Sequence, residues 1–253
     1  MDRGTYSAAS GGLVQLRKLE IVNNNLANSN TVGFKKQVLV GEEQTFDQTL
    51  ASAVAKNDPY AAKDHERTPG VTNIQTQTDF SPGPIKFTGS GLDAALRNAN
   101  DFFVINTADG EQYTRAGNFT LNAEAELVTV DGEPVVGDGG SIVANGTDVN
   151  IGTDGSVRAG GTLVGKIKVV HFDDPSTLER VGHTRFELGA GVPAPQQVDA
   201  ELEPRSLEMA NVSAISSVLD LITTNRAFDM YTRASKSIDE MNQQAISQVG
   251  RRR

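Results

Sequence analysis

The pattern that most restricts what this chain can fold into lies at its carboxy-terminal end. From Asn211, a residue suited to capping a helix amino terminus, to about Val249, no proline intervenes and apolar residues recur at helical spacing. Val212, Ile215, Leu219 and Ile222 are 3, 4 and 3 residues apart. After the polar stretch Thr223-Thr224-Asn225-Arg226, a second register runs through Ala227, Tyr231, Ala234, Ile238, Met241, Ala245 and Val249. The two stripes differ by roughly a quarter turn, which predicts a bend or a change of packing partner. A helix of roughly 40 residues spans about 55–60 Å, more than the diameter of a small domain. Such a stripe is covered either by a second helix of the same chain, as in a coiled coil, or by other chains. The length favours other chains.

The amino-terminal segment supplies a second helical pattern over residues 5–28. Leu13, Leu16, Leu19, Val22 and Leu26 form a broad stripe, with Arg17, Lys18 and Glu20 mostly off it. Gly11-Gly12 weakens the first turns by about 1 kcal/mol per glycine relative to alanine, so this helix needs packing partners. The Asn-rich run Asn23–Asn30 then leads the chain out of the helix, because Asn tolerates left-handed C-cap conformations and its amide bonds local backbone. In Thr31-Val32-Gly33-Phe34, Gly33 permits a sharp turn and Phe34 can anchor it.

Between these arms the chain changes character. All nine prolines fall between Pro59 and Pro204, and 16 of the 25 glycines lie in residues 91–200. That stretch also carries sixteen acidic against seven basic side chains, so the net charge of −9 is concentrated there. Short β patterns recur with turn signals every 8–12 residues: Phe102–Ile105 before Asp109-Gly110, Tyr113–Arg115, Phe119–Leu121, Leu127–Val130 before Asp131-Gly132, Val149–Ile151 before Asp154-Gly155, and an alternating strand from Lys166 to Phe172. These predict an antiparallel all-β domain over 91–200. Residues 37–90, punctuated by Asp58-Pro59, Thr68-Pro69-Gly70 and Ser81-Pro82-Gly83-Pro84, read as an extended connector with one strand at Thr72–Thr78, and 192–205 as the returning connector. The fold class is α+β: terminal helical arms (1–36 and 201–253) pairing as a coiled-coil-like α domain, and a central antiparallel β domain.

Several functions are disfavoured by these residues. The acidic centre and a pI near 4.9 argue against nucleic-acid binding, which needs a basic stripe. With no cysteine there is no disulfide, thiol nucleophile or thiolate metal site. No apolar run approaches the roughly 18 residues of a membrane span, and the opening Met1-Asp2-Arg3-Gly4-Thr5-Tyr6 lacks the pattern of a cleavable signal peptide. His65, His171 and His183 form no spaced metal-ligand pair. Gly161–Ile167 imitates a phosphate-binding loop, but it is one residue short and Ile167 stands where Ser or Thr is required. The Asp-Gly turns lack the acidic ladder of a calcium loop, and no nucleophile elbow is present. The expectation is a protein without catalytic, metal or cofactor sites, and with no nucleic-acid, membrane-spanning or small-molecule partner.

Three blocks of sequence resemble one family. Asn25-Leu26-Ala27-Asn28-Ser29-Asn30-Thr31-Val32-Gly33-Phe34-Lys35 is similar to the amino-terminal signature of bacterial flagellar rod and hook proteins. Asp101–Val104, Tyr113-Thr114-Arg115-Ala116-Gly117-Asn118-Phe119 and Leu127–Gly137 resemble its central β motif. Leu207-Glu208-Met209-Ala210-Asn211-Val212, with Asn225–Phe228 and Ile238–Met241, resembles its carboxy-terminal helix. Length and the opening residues are most like proximal rod subunits, with distal rod subunits second and hook subunits, which carry longer insertions, further off. Ala210 stands where the family usually has Ser, Phe228 where Tyr is usual, and Ala125 in a slot usually held by Gly.

The resemblance implies a structural subunit exported by the flagellar type III apparatus without a cleaved signal, and assembling helically with copies of itself and other rod subunits into the axial drive shaft and export channel. It implies an assembly interface built from Leu13, Leu16, Leu19, Val22 and Leu26 of the first arm, Asn28, Gly33 and Phe34 of the signature, and Val212, Ile215, Leu219, Ile222, Tyr231, Ile238 and Met241 of the last. The competing readings are a secreted β-rich binding module on a coiled-coil stalk, which leaves the three blocks unexplained, and a periplasmic hydrolase, for which no constellation exists.

Overall fold

A computed structural model describes residues 3–45, 69–146, 148–189 and 191–250. The turn at Asp58-Pro59, His65 and the terminal run Arg251-Arg252-Arg253 lie outside the described residues. The chain is α+β and divides into two compact units. One comprises Met1–Leu26, Gln37–Gln77 and Ala214–Arg253; the other comprises Ala27–Lys36 and Thr78–Ser213.

The first unit is built on helix α1 (Arg3–Ala27), helix α2 (Ala214–Gly250) and the paired strands β1 (Gln37–Thr45) and β2 (Pro69–Thr78). This strand pair occupies part of the stretch read from sequence as an extended connector. Helix α2 runs unbroken through Thr223–Arg226, about 55 Å long at its 37 residues. Helix α1 likewise continues through Gly11-Gly12. There the ring of Tyr231 lies so close that a Cβ on Gly11 would overlap it, so the glycine that weakens the helix also admits the ring. At the end of α1 the Asn25 side chain donates to Gln37 O at 2.8 Å and accepts from Gln37 N at 2.9 Å, closing the excursion between them.

The second unit is centred on a six-stranded antiparallel sheet. Its order is Leu178–Val181, Arg185–Leu188, β6 (Gly110–Thr114), β5 (Asp101–Thr107), Val169–His171 and Gln196–Val198. The strands β3 (Ile85–Phe87) and β4 (Ala94–Leu96) are paired with Ser206–Glu208 and Leu202–Pro204. Strand β5 explains its own unbroken apolar run. Phe103 and Ile105 point into one core with Leu96, Leu127, Ile151 and Val169, while Phe102 and Val104 point into a second with Tyr113, Val170, Phe172 and Phe186. A strand buried on both faces has no polar side to alternate with.

The alternating stretch from Lys166 to Phe172 is not one strand. Thr162–Lys166 belongs to a three-stranded sheet and Val169–His171 to the six-stranded one. Ile167 and Val169 remain in the same core on either side of the break, so the period-2 pattern survives a change of sheet.

Candidate assembly surfaces and a buried clasp

Helix α2 carries two faces of opposite character. A seam of buried or half-buried positions runs through Ser217, Leu221, Thr224, Phe228, Ser235, Ile238 and Asn242. Adding Tyr231, whose ring lies over Gly11, gives alternating steps of 4 and 3 that hold to a 3.5-residue period. The apolar residues Ile215, Val218, Leu219 and Ile222 lie off this seam and face outward, Ile215 at 79% and Leu219 at 59% exposure, as does Met241 at 58%. The helix continues without interruption across the two registers of the sequence. The seam takes Tyr231 and Ile238 from the second, while Ile215, Leu219 and Ile222 of the first and Met241 of the second face outward. On α1, Val22 and Ile21 are buried and Leu19 and Leu26 half-buried, whereas Leu13 (65%) and Leu16 face solvent. Val212 is half-buried, just ahead of the helix.

Asn28, Gly33 and Phe34 sit differently. All three are buried within their own chain. Gly33 has φ +69° and its Cα faces the backbone of Arg115 and Ala116 so closely that a Cβ would overlap it. Its N–H donates to Glu208 O at 2.8 Å. Phe34 is fully enclosed, with the Arg180 guanidinium 4.9 Å from its ring centroid and 5.1 Å from that of Phe186. Arg180 also donates to Lys35 O. Burial alone lowers its pKa to about 10, so it stays charged at neutral pH.

Beside this turn lies a feature that periodicity does not reveal. Lys35 Nζ is 2.7 Å from Glu208 Oε1, and Arg115 Nη2 is 2.6 Å from Glu208 Oε2, with all three side chains 1–2% exposed. Glu208 Oε1 further accepts from Gly83 N at 2.9 Å, and Lys35 Nζ donates to Ser81 O at 2.8 Å. The Arg115 guanidinium also reaches the carbonyl oxygens of Asn98 and Asp101, both at 2.6 Å. Two buried cations thus share one carboxylate. Burial pushes the Glu208 carboxyl upward, but Arg115 and Lys35 overcome it and hold the group below its ordinary value. Burial draws Lys35 below the ordinary lysine value; Glu208 opposes that and the Arg115 charge adds to it.

Asn211, read as a helix cap, has another role: α2 begins at Ala214. The Asn211 amide accepts from Lys36 N at 2.7 Å and donates to Asp79 O and Ser81 O at 2.9 and 3.0 Å. It fastens the segment ahead of α2 to the segment that follows Phe34. The clasp residues did leave a trace in the sequence. Lys35, Arg115 and Glu208 are the only charged residues in the blocks Asn25–Lys35, Tyr113–Phe119 and Leu207–Val212. A lone charge in each of three otherwise uncharged blocks is the signature of a buried, mutually paired set.

Among the described residues no group of three or more His, Asp or Glu is placed to hold a metal ion, and no helix is long and apolar enough to cross a membrane. Two helices with exposed apolar rows, and a β unit closed by a buried clasp, are features of a structural protein. The comparisons with known proteins agree in the same three blocks. Residues 6–35 match the flagella basal body rod protein family, 98–159 the D1 domain of the flagellar hook protein FlgE/F/G family, and 203–248 the carboxy-terminal region of the flagellar basal body rod FlgEFG family. The chain is 33% identical over 255 residues to the flagellar basal-body rod protein FlgF of Caulobacter vibrioides, covering 99% of each. It is 31% identical over 263 residues to the flagellar basal-body rod protein FlgG of Bacillus subtilis, covering 98% of this chain and 99% of that one. This chain belongs to the flagellar basal-body rod protein family. It is a structural subunit of the rod, part of the flagellar basal body, and family membership implies assembly with other rod subunits. Each of the three matched regions contributes one member of the clasp: Lys35, Arg115 and Glu208.

Proposed function

We propose that this chain is a proximal-type rod subunit, whose helices pack against those of neighbouring subunits to form the wall of the drive shaft and export channel. The outward apolar row Ile215, Val218, Leu219 and Ile222 carries this reading. It lies beside a seam that already includes buried Ser217 and Thr224, so the apolar side chains are spent on a surface the chain itself leaves open. A repeated heterologous contact consumes such rows without closing into a ring. Leu13 and Leu16 on α1 extend the same role. The subunit is exported by the flagellar type III apparatus to the rod in the cell envelope and acts without catalysis. Basal-body rod proteins match over nearly the whole of both chains, FlgF at 33% and FlgG at 31% identity, which supports the rod reading.

Replacing the chromosomal gene with one encoding Leu219→Asp tests the interface. The expected result is normal amounts of soluble protein, no rods in basal-body preparations and loss of motility. Wild-type swimming with intact rods would remove Leu219 from the interface. Cryo-electron microscopy of basal bodies tests the position: density for this chain at the outer end of the rod would overturn the proximal placement.

A further inference from the structure

We propose that the Lys35–Glu208–Arg115 clasp is a completion lock: the stem segments 33–36 and 205–211 become fixed to the β unit only when Glu208 supplies the single carboxylate for two buried cations. The partners come from far apart. Glu208 lies 173 residues from Lys35 and 93 from Arg115, and it is the last of the three in the chain. Until it arrives, Lys35 and Arg115 have no carboxylate at this position, and two unpaired cations in a buried site are strongly disfavoured. The clasp then holds a set of local bonds that report its state: Gly33 N to Glu208 O, Thr88 N to Arg205 O, Met209 N to Pro84 O and Lys36 N to Asn211 Oδ1. The clasp meets the main aromatic core through Arg115, whose guanidinium lies 5.7 Å from the Phe102 ring centroid, but the strands of that core are paired without Lys35 or Glu208. Phe102, Phe103, Val170 and Phe172 are packed by strands that pair among themselves.

Charge counting gives the lock a distinctive mutational signature. Glu208→Gln keeps the shape and some hydrogen bonds but leaves two buried cations. Lys35→Met leaves a neutral Arg115–Glu208 pair. The Lys35→Met/Glu208→Gln double variant leaves one cation, so it is less perturbed than the two single changes sum to. A clasp that acted only through packing or neutral hydrogen bonds would leave the double variant at least as perturbed as Glu208→Gln alone, whereas a charge-driven one makes it less perturbed than that single change.

The test is amide hydrogen exchange on the full-length chain at a dilution where it is monomeric, which makes the outcome independent of rod assembly. In Glu208→Gln, the amides of Gly33, Lys36, Thr88 and Met209 are expected to exchange on the order of 100-fold faster, while those of β5 and Val169–His171 stay within about threefold of the parent. Lys35→Met is expected to accelerate the stem amides about tenfold. Equal acceleration of stem and core, or unchanged stem amides, overturns the lock. Those two outcomes are read in a Glu208→Gln protein that still folds; if the variant is globally unfolded, the double variant is read instead. Recovery of β5 protection when Lys35→Met is added supports a charge-driven lock, and no recovery overturns it.

Discussion

In the β unit, Phe102, Phe103, Phe186 and Leu127 are wholly enclosed, and even the charges of Lys35, Arg115 and Glu208 are withdrawn from water. In the helical unit the enclosed positions of α2 include Ser217 and Thr224, while Ile215, Leu219 and Met241 face outward. In the β unit those apolar side chains are enclosed, whereas along α2 the buried or half-buried seam is shared by Leu221, Phe228 and Ile238 with small polar residues and an apolar row faces outward. The difference separates two ways of reaching stability. The β unit closes on itself and owes its order to contacts within the chain; the helical unit leaves an apolar row exposed, which the proposed assembly would cover. The family signature is therefore divided in function. Its Gly33, Phe34 and Lys35 serve the closed unit, although the resemblance placed Gly33 and Phe34 at the assembly interface.

The sharpest way to break this comparison is at Gly33. Gly33→Ala would add a Cβ at φ +69° against the backbone of Arg115 and Ala116. Neither neighbour is a flexible side-chain end that could yield. The expected loss is about 3 kcal/mol or more in the isolated monomer, measured by urea unfolding of the β unit. If the variant were as stable as the parent but unable to assemble, Gly33 would belong to the interface after all.

Leu219→Asp is the mirror experiment. Its side chain faces solvent in the monomer, so the expected change in monomer stability is within about 0.5 kcal/mol, with rod formation lost. A monomer destabilised by more than about 2 kcal/mol would mean that Leu219 is covered within its own chain, and the contrast between the two units would fail there.

How much of this was legible beforehand follows from which residues speak locally. Both helices, the β character of the centre and the strand at Phe102–Ile105 announce themselves through periodicity and turn chemistry, which depend on neighbours in sequence. The clasp does not, because a pairing between residues 35, 115 and 208 has no period. Helix α2 shows a subtler limit. A sequence pattern reports where apolar residues lie, and in a soluble monomer that equals the buried face; here the row of Ile215, Leu219 and Ile222 is the face left open. The strand β2 was only partly visible, since its residues Pro69–Thr78 are mostly polar and its bounds are set by pairing with β1.

Acid should act unequally on the two units. Glu208 and Asp79 both titrate below their ordinary values of 4.5 and 3.8. At Glu208 burial is outweighed by Arg115 and Lys35. At Asp79 burial is outweighed by hydrogen bonds from Ser81 and the Lys36 charge. A carboxyl with a depressed folded-state pKa stabilises fully above its unfolded value, and the contribution disappears as pH falls through the folded one. The urea midpoint of the β unit is thus expected to be level from about pH 7 to pH 5 and to decline below about pH 4.5. Glu208→Gln should flatten part of that decline. An unchanged slope in the variant would mean that the acid sensitivity arises elsewhere.

The smallest effect concerns a single backbone angle. Ala125 has φ +60°, in the left-handed region, at the end of a turn in which the Asn122 side chain accepts from Glu124 N and Glu126 N. Its own N–H bonds Asn122 O at 3.0 Å, and its carbonyl accepts from Ala144 N at 2.8 Å, so the surroundings hold it in place. An alanine Cβ in this conformation costs roughly 1–2 kcal/mol. That is why the slot suits Gly, and why a substitution conservative in size is not conservative in backbone freedom. Ala125→Gly removes the Cβ but adds conformational entropy to the unfolded chain, which offsets about 0.4–1 kcal/mol. The net expectation is a gain of about 0.5 kcal/mol in the β unit, visible as a small rise in urea midpoint with the slope unchanged. Because the turn lies in the closed unit, assembly should be indifferent to the change. A rise in monomer stability accompanied by altered rod yield would show that order in the β unit is transmitted to the assembling helices.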